Sequence, residues 1–197
     1  MKIKEAYKKI RYAMRTGFLF LMAITALSCS DTDFEYASER CYLVFNNAIH
    51  QDETLQSALN PMSPGIFCRI WEGSEDGSVF FYFASNQGLN SKKKAVGEDL
   101  RRTRVIGLYN KTGIIVGYGN LSQPAELFAY DSQCRNCYEE KGTMDNLLTI
   151  DTKGFATCPK CKRRYDLNNR GITDNGKPLL RYRATCTGAL GVLTVNN

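Results

Sequence analysis

The sequence predicts an all-β fold, an antiparallel sandwich or barrel, on three observations. Short runs rich in β-branched and aromatic residues recur from Cys41 to the C-terminal end. Gly, Asn, Asp and Pro separate these runs, as strand-and-turn architecture requires. No long segment carries the apolar period of a helix. Strands this numerous and closely spaced suit an antiparallel barrel or sandwich. Composition agrees, since 43% hydrophobic and 23% charged residues over 197 positions allow a packed core and argue against wholesale disorder. The length suits one domain, or one domain plus a processed segment.

Residues 1–28 read as a leader. Lys2, Lys4, Lys8, Lys9, Arg11 and Arg15 stand against the single acid Glu5, so most of the net charge of +6 sits there and about +1 remains for the rest. Nucleic acid is therefore not an expected partner. The apolar run Phe18–Leu27 follows. It falls short of the about 20 residues a bilayer span needs and has the flanks of a secretory signal peptide. Ala26-Leu27-Ser28-Cys29 resembles a relaxed bacterial lipobox, which implies that Cys29 is acylated and becomes the mature N-terminus. An ordinary signal peptide cleaved nearby and an uncleaved anchor are the alternatives. Residues 29–40 form an acidic tether beginning Ser30-Asp-Thr-Asp-Phe-Glu35. It is similar to the export signal of outer-membrane lipoproteins in Bacteroidota, which places the domain on the cell surface; a linker facing the periplasm is the other reading.

The domain proper is expected over 41–197. Its strands are Cys41–Asn46, Ile66–Trp71, Ser78–Ala84, Gly113–Tyr118, Leu127–Asp131, Leu147–Ile150, Gly154–Thr157, Arg163–Leu167, Leu179–Thr185 and Gly191–Val195. Gln51–Leu59 is the one short helix expected, ended by Pro61. The stretch 86–104, with Lys92-Lys93-Lys94 and Arg101, Arg102 and Arg104, reads as a solvated loop or exposed face. Gly113-Ile-Ile-Val-Gly117-Tyr-Gly119 lacks the order and the following helix of a nucleotide loop. It reads instead as a strand whose glycines permit a bend. His50 is the only histidine, so histidine-based triads and zinc sites have almost nothing to draw on.

Of eight cysteines, four fall into Cys134-Arg-Asn-Cys137 and Cys158-Pro-Lys-Cys161. Two such pairs converge if the chain between them folds back, and Leu147–Ile150 with Gly154–Thr157 across Asp151–Lys153 supplies the hairpin. Pro159 favours the tight turn inside the second pair. Paired C-x2-C spacing is the signature of a four-thiolate metal site, here in a small rubredoxin- or zinc-ribbon-like subdomain of about 132–165. Tetrahedral Zn2+ is the first expectation; a single iron or a [2Fe–2S] cluster on Cys134, Cys137, Cys158 and Cys161 is the alternative. Disulfides are the competing use of these thiols in an exported protein. Cys41, Cys68 and Cys186 remain, and one disulfide, with Cys41–Cys68 as a guess, plus one buried thiol is the simplest account. Neither C-x2-C pair precedes a helical pattern, which argues against a thiol–disulfide enzyme.

The residues around the second pair carry a family resemblance. Cys158-Pro-Lys-Cys161, then Tyr165, Leu167 and Gly171, then Gly176-Lys-Pro178-Leu-Leu180-Arg-Tyr182, resemble the second half of a Rieske domain. Gly113–Val116 and Leu127–Asp131 resemble the strands that precede its first metal turn. The resemblance covers about residues 100–197 and, more loosely, 41–99. It implies two β layers with a metal-binding subdomain built on two facing loops. Rieske proteins use C-x-H and C-x-x-H, whereas this chain has Cys137 and Cys161 at or beside the histidine positions. A centre of two histidines and two cysteines is thereby excluded, and Rieske oxygenase or cytochrome-complex activity is not expected. The chain is similar to Rieske-like lipoproteins with a four-cysteine site in place of the mixed ligands. That implies a lipid-anchored, non-enzymatic binding module with a structural zinc and a protein partner of unknown identity, the alternative being a low-potential electron carrier.

Overall fold

In the computed structural model, residues 35–197 are described; Cys29 and the 1–34 segment lie outside the described residues. The strands are β1 (Tyr42–Asn46), β2 (Phe67–Glu75), β3 (Ser78–Ser85), β4 (Asn90–Lys94), β5 (Ile114–Tyr118), β6 (Leu127–Asp131), β7 (Thr149–Ile150), β8 (Phe155–Thr157), β9 (Arg164–Asp166), β10 (Arg181–Cys186) and β11 (Val192–Asn196). Four short helices punctuate them: α1 (Asn47–His50), α2 (Glu53–Ala58), α3 (Glu98–Arg101) and α4 (Arg135–Lys141). Among the described residues the fold is thus mostly antiparallel β. An eight-stranded sheet runs β1-β11-β10-β6-β5-β2-β3-β4, and a three-stranded sheet runs β7-β8-β9.

Alternation along the strands gives the large sheet two apolar faces, each with its own core. Cys68 and Ile70 of β2, Phe81 and Phe83 of β3, Ile114 and Val116 of β5 and Ala129 of β6 point one way. They meet Leu43 and Phe45 of β1, Leu193 and Val195 of β11, and Leu55, Ala58 and Leu59 in and beside α2. The opposite face presents Phe67, Ile115, Phe128 and Tyr130 to Ala156, Tyr165 and Leu167 of the small sheet and to Cys134, Cys137 and Cys158. Strands of two and three residues are too short to hold a sheet by themselves. The small sheet persists because its apolar side is buried on the large one.

Polar side chains fasten the two sheets together. Asn86 accepts from Phe67 N (3.0 Å) and donates to the carbonyls of Gly65 and Asp151, bridging β2 to the β7–β8 turn. Gly154 in that turn has φ 82°, and a Cβ there would sit 2.6 Å from Asn168 Nδ2, so any other residue would be strained and would push the Asn168 amide aside. At the start of the described chain, Ala37 N donates to Arg181 O (2.7 Å), and the Arg181 guanidinium lies between Glu35 and Glu126.

Several sequence expectations change. The stretch 86–104 contains an edge strand, β4, whose Lys92 and Lys94 face solvent while Ala95 just beyond it is buried. Cys41 and Cys68 form no disulfide: all seven described cysteines are free thiols, and these two are buried in the first core. Burial pushes the Cys41 thiol up to about 12 and the Cys68 thiol higher still. The first C-x2-C pair opens helix α4 in place of the bare turn expected there. No helix among the described residues is long and apolar enough to cross a membrane.

Candidate metal centre

The first ligand turn is set by Asp131, the fully buried last residue of β6. Its carboxylate accepts from Gln133 N (2.7 Å), Leu108 N (2.7 Å) and Tyr182 Oη (2.8 Å). Burial is the dominant influence and holds the Asp131 carboxyl above the usual carboxylate range despite these three donors. The bond to Gln133 N turns the chain away from the sheet and aims residue 134 at the small sheet. Gln133 locks that turn by donating to Cys134 O and Thr143 O and accepting from Asn146 N. Cys134 is the N-cap of α4, Cys137 lies in its first turn, and Gly142 closes the helix in the left-handed region at φ 65°.

The second turn links β8 to β9. Cys158 N donates to Arg163 O and Lys162 N to Cys158 O, both at 3.0 Å. Cys161 N points at Cys158 Sγ (3.5 Å), the amide-to-sulfur contact that stabilises charge gathered on a thiolate. Lys162 takes φ 62° to let the chain reverse.

These two turns bring all four predicted ligands together, with every Sγ within 4.8 Å of the others. Across the turns, Cys134 Sγ lies 3.6 Å from Cys161 Sγ and Cys137 Sγ 3.8 Å from Cys158 Sγ. A tetrahedron with metal–sulfur bonds of about 2.3 Å has edges of about 3.8 Å, so the set fits one central ion. It is far from the about 2.05 Å of a disulfide. Cys134, Cys137 and Cys158 are buried and Cys161 reaches the surface. Without a cation, four thiols this close cannot ionise together. Burial first, then the neighbouring sulfurs, hold Cys137 well up, and burial also raises Cys134. Cys161 goes the other way: burial opposes it, but the Arg163 amide and the other three thiols hold it down to about 7.

A hydrogen-bond layer surrounds the sulfurs. Buried Tyr165 Oη is hydrogen-bonded to Cys134 Sγ (3.1 Å) and accepts from Asn136 Nδ2 (2.9 Å). Asn136 also donates to Lys177 O (2.9 Å) and accepts from Lys177 N (3.0 Å), tying α4 to the loop before β10. From sequence, Tyr165 stands out only as the aromatic of the Rieske-like strand, and Asn136 and Gln133 do not stand out at all. Their one signal is position: Asn136 sits inside the first C-x2-C and Gln133 immediately before it. His50 takes no part. Its ring stacks on Phe45 (4.6 Å) in the first core and pairs with Asp99 (2.9 Å).

Among the described residues, helix α4 puts a C-x2-C at a helix start, an arrangement not expected from the sequence. Cys134 and Cys137 are nevertheless fully buried, so this helix-start pair does not offer the accessible thiolate that thiol–disulfide exchange needs; Cys161 of the second pair is the partly exposed one. The four sulfurs together are placed so that they could hold a metal ion. No protein-family model matches the chain, and no curated protein matches it.

Proposed function

We propose that the chain is an exported envelope lipoprotein, anchored through Cys29 at the outer membrane, whose Rieske-like β domain is a non-enzymatic binding module stapled by one zinc ion on Cys134, Cys137, Cys158 and Cys161. The observation that carries the metal reading is the convergence of four sulfurs at single-ion spacing, three of them buried. A closed four-thiolate zinc is structural, because no water-bearing position remains. The fold gives the ion a role: the small sheet is too short to persist alone, and the ion joins it to α4. The Rieske-like reading is supported by the place of that sheet, between β6 and β10 in the chain, with two ligand turns facing each other.

The second reading, an electron carrier, is favoured by one feature. Cys161 is the ligand nearest solvent, beside Arg163, which also pairs with Glu140 (3.0 Å). That opens a short route from an iron to a docked partner. The single-ion spacing favours one iron over a two-iron cluster, which would hold its two sulfur pairs apart.

The test is the metal content and visible spectrum of the protein purified without added metal, repeated after anaerobic expression. One zinc and no colour supports the structural reading. Stoichiometric iron with thiolate charge-transfer bands replaces it with the carrier, and disulfides in place of metal defeat both. Fatty-acid labelling of a Cys29→Ala variant tests the anchor; retained label refutes the lipobox.

A further inference from the structure

One wall of α4 faces neither core but a cleft of about 500 Å3 lined by Tyr109, Tyr138, Glu139, Gly142 and Met144. That volume lies in the range of small-ligand sites, about 300–1,000 Å3. The opposite wall is the 106–113 loop, and its backbone is unusual. Tyr109 has φ 52° and ψ 27°, and Asn110 follows at φ 58°. Left-handed backbone is costly for a bulky residue and persists only where its surroundings over-determine it. Here they do. Leu108 N donates to both Asp131 Oδ2 (2.7 Å) and Thr112 Oγ1 (2.8 Å), and Ile106 N to Asn110 Oδ1 (2.7 Å). The outcome is a rigidly presented Tyr109, 65% exposed, with its hydroxyl 3.4 Å from that of Tyr138. Packing gains nothing from so exposed a ring.

The chemistry of the cleft narrows its ligand. Glu139 already pairs with Arg135 (2.7 Å) and Lys177 (2.8 Å), and Glu140 with Arg163. A charged ligand would have to compete with these pairs. The Tyr109 and Tyr138 hydroxyls lie side by side, 3.4 Å apart, as uncharged groups that can both donate and accept. What the site offers is aromatic surface, a thioether and two adjacent neutral hydroxyls. These complement a neutral ligand with several hydroxyls and apolar C–H faces.

We infer that the Tyr109–Tyr138 cleft is a saccharide site, taking one or two units of a neutral glycan, and that the metal builds its α4 wall. This rests on the binding-module reading and supplies its ligand. Tyr138 directly follows the ligand Cys137, and Asp131 organises both the Tyr109 loop and the first metal turn, so site and ion share one scaffold.

The experiment is saturation-transfer NMR on the zinc-loaded, acylated protein in detergent micelles. The probes are glucose, galactose, mannose, N-acetylglucosamine and their β-linked dimers. At least one should bind saturably with Kd of about 1 mM. Tyr109→Gly removes the left-handed strain, so its thermal midpoint should equal or exceed that of the unmodified protein while binding weakens by about tenfold or more. A purely structural Tyr109 predicts the reverse, a lowered midpoint with binding intact, and that result overturns the inference. So does a zinc-loaded protein that binds none of the probes, or one that takes a tyrosine-rich peptide in their place; either leaves the metal reading standing. Sugar binding that survives chelation of the zinc refutes the metal's part in the wall.

Discussion

Replacing Tyr165 with Phe isolates the hydrogen-bond layer of the metal centre from its packing. The ring stays and fills the same fully buried space; only the hydroxyl goes. That hydroxyl joins Cys134 Sγ to Asn136 Nδ2. Burial, then the adjacent Cys134 sulfur, hold its pKa far above the usual tyrosine range, so it keeps its proton and can donate it to a zinc-bound Cys134 thiolate. A hydrogen bond to a charged acceptor is worth about 1.5–3 kcal/mol. Asn136 keeps its bonds to Lys177, so little of that is recovered or added elsewhere. Because about 1.4 kcal/mol corresponds to a factor of ten, Tyr165→Phe should weaken zinc binding by about ten- to a hundredfold. Asn136→Ala should give part of the same loss, and the pair should be less than additive because both act through one hydroxyl. The assay is competition for zinc against a chromophoric chelator at fixed pH, with denaturant unfolding of the metal-free proteins alongside. Unchanged zinc affinity, together with a metal-free domain destabilised by the full amount, would refute the reasoning and assign the hydroxyl to the fold alone.

Three further outcomes are expected. Cys134 and Cys137 are raised above the usual thiol range and hence protonated at neutral pH, so zinc must displace at least their protons; affinity should fall about a hundredfold per pH unit on acidification near neutrality, and a pH-independent affinity would contradict the site. Asp131→Asn turns an amide toward donors at a buried site and should cost about 1–3 kcal/mol in urea unfolding. Because the folded carboxyl titrates above its ordinary value, its stabilising protonated form is complete below that value and is lost as pH rises through the raised one; the deficit of the variant should therefore grow as pH is lowered, zinc loss being common to both proteins. Arg181→Met removes a guanidinium that sits over the Tyr36 ring (5.4 Å) and the Phe128 ring (5.1 Å). Its carboxylate partners are substantially exposed, so the ion pairs matter less than this packing; the expected loss is about 1 kcal/mol, read as faster hydrogen exchange at Ala37 with β5 and β6 unaffected.

How much of this could be read in advance depended on how local the information was. Leu127–Asp131 coincides with β6, and the other nine expected strands overlap β1–β3, β5 and β7–β11, because alternation and turn residues are properties of neighbouring positions. The short helix before Pro61 is α2 for the same reason, capped by Asp52. Strand β4 was hidden because Lys92-Lys93-Lys94 has the composition of a loop; it forms only because β3 offers it an edge. Helix α4 was hidden because its seven residues are too few to form a helix alone. It is held by the Arg135–Glu139 pair, the Gly142 cap and the burial of Cys137.

The sequence by itself determined that Cys134 with Cys137 and Cys158 with Cys161 form two local pairs, since a C-x2-C spacing sets local reach whether a turn or, as at Cys134, a helix start carries it. Only the tertiary structure decided that the pairs meet, that Tyr165 and Asn136 close around them, and that Tyr109 faces Tyr138. Tyr165 and Cys134 are 31 residues apart, and Tyr109 and Tyr138 are 29. Contacts at that separation follow from which face of a sheet each strand presents and which strands are neighbours. The large sheet takes its neighbours out of chain order, β10 beside β6 and β5 beside β2. A one-residue slip in any of those pairings would turn every side chain to the opposite core.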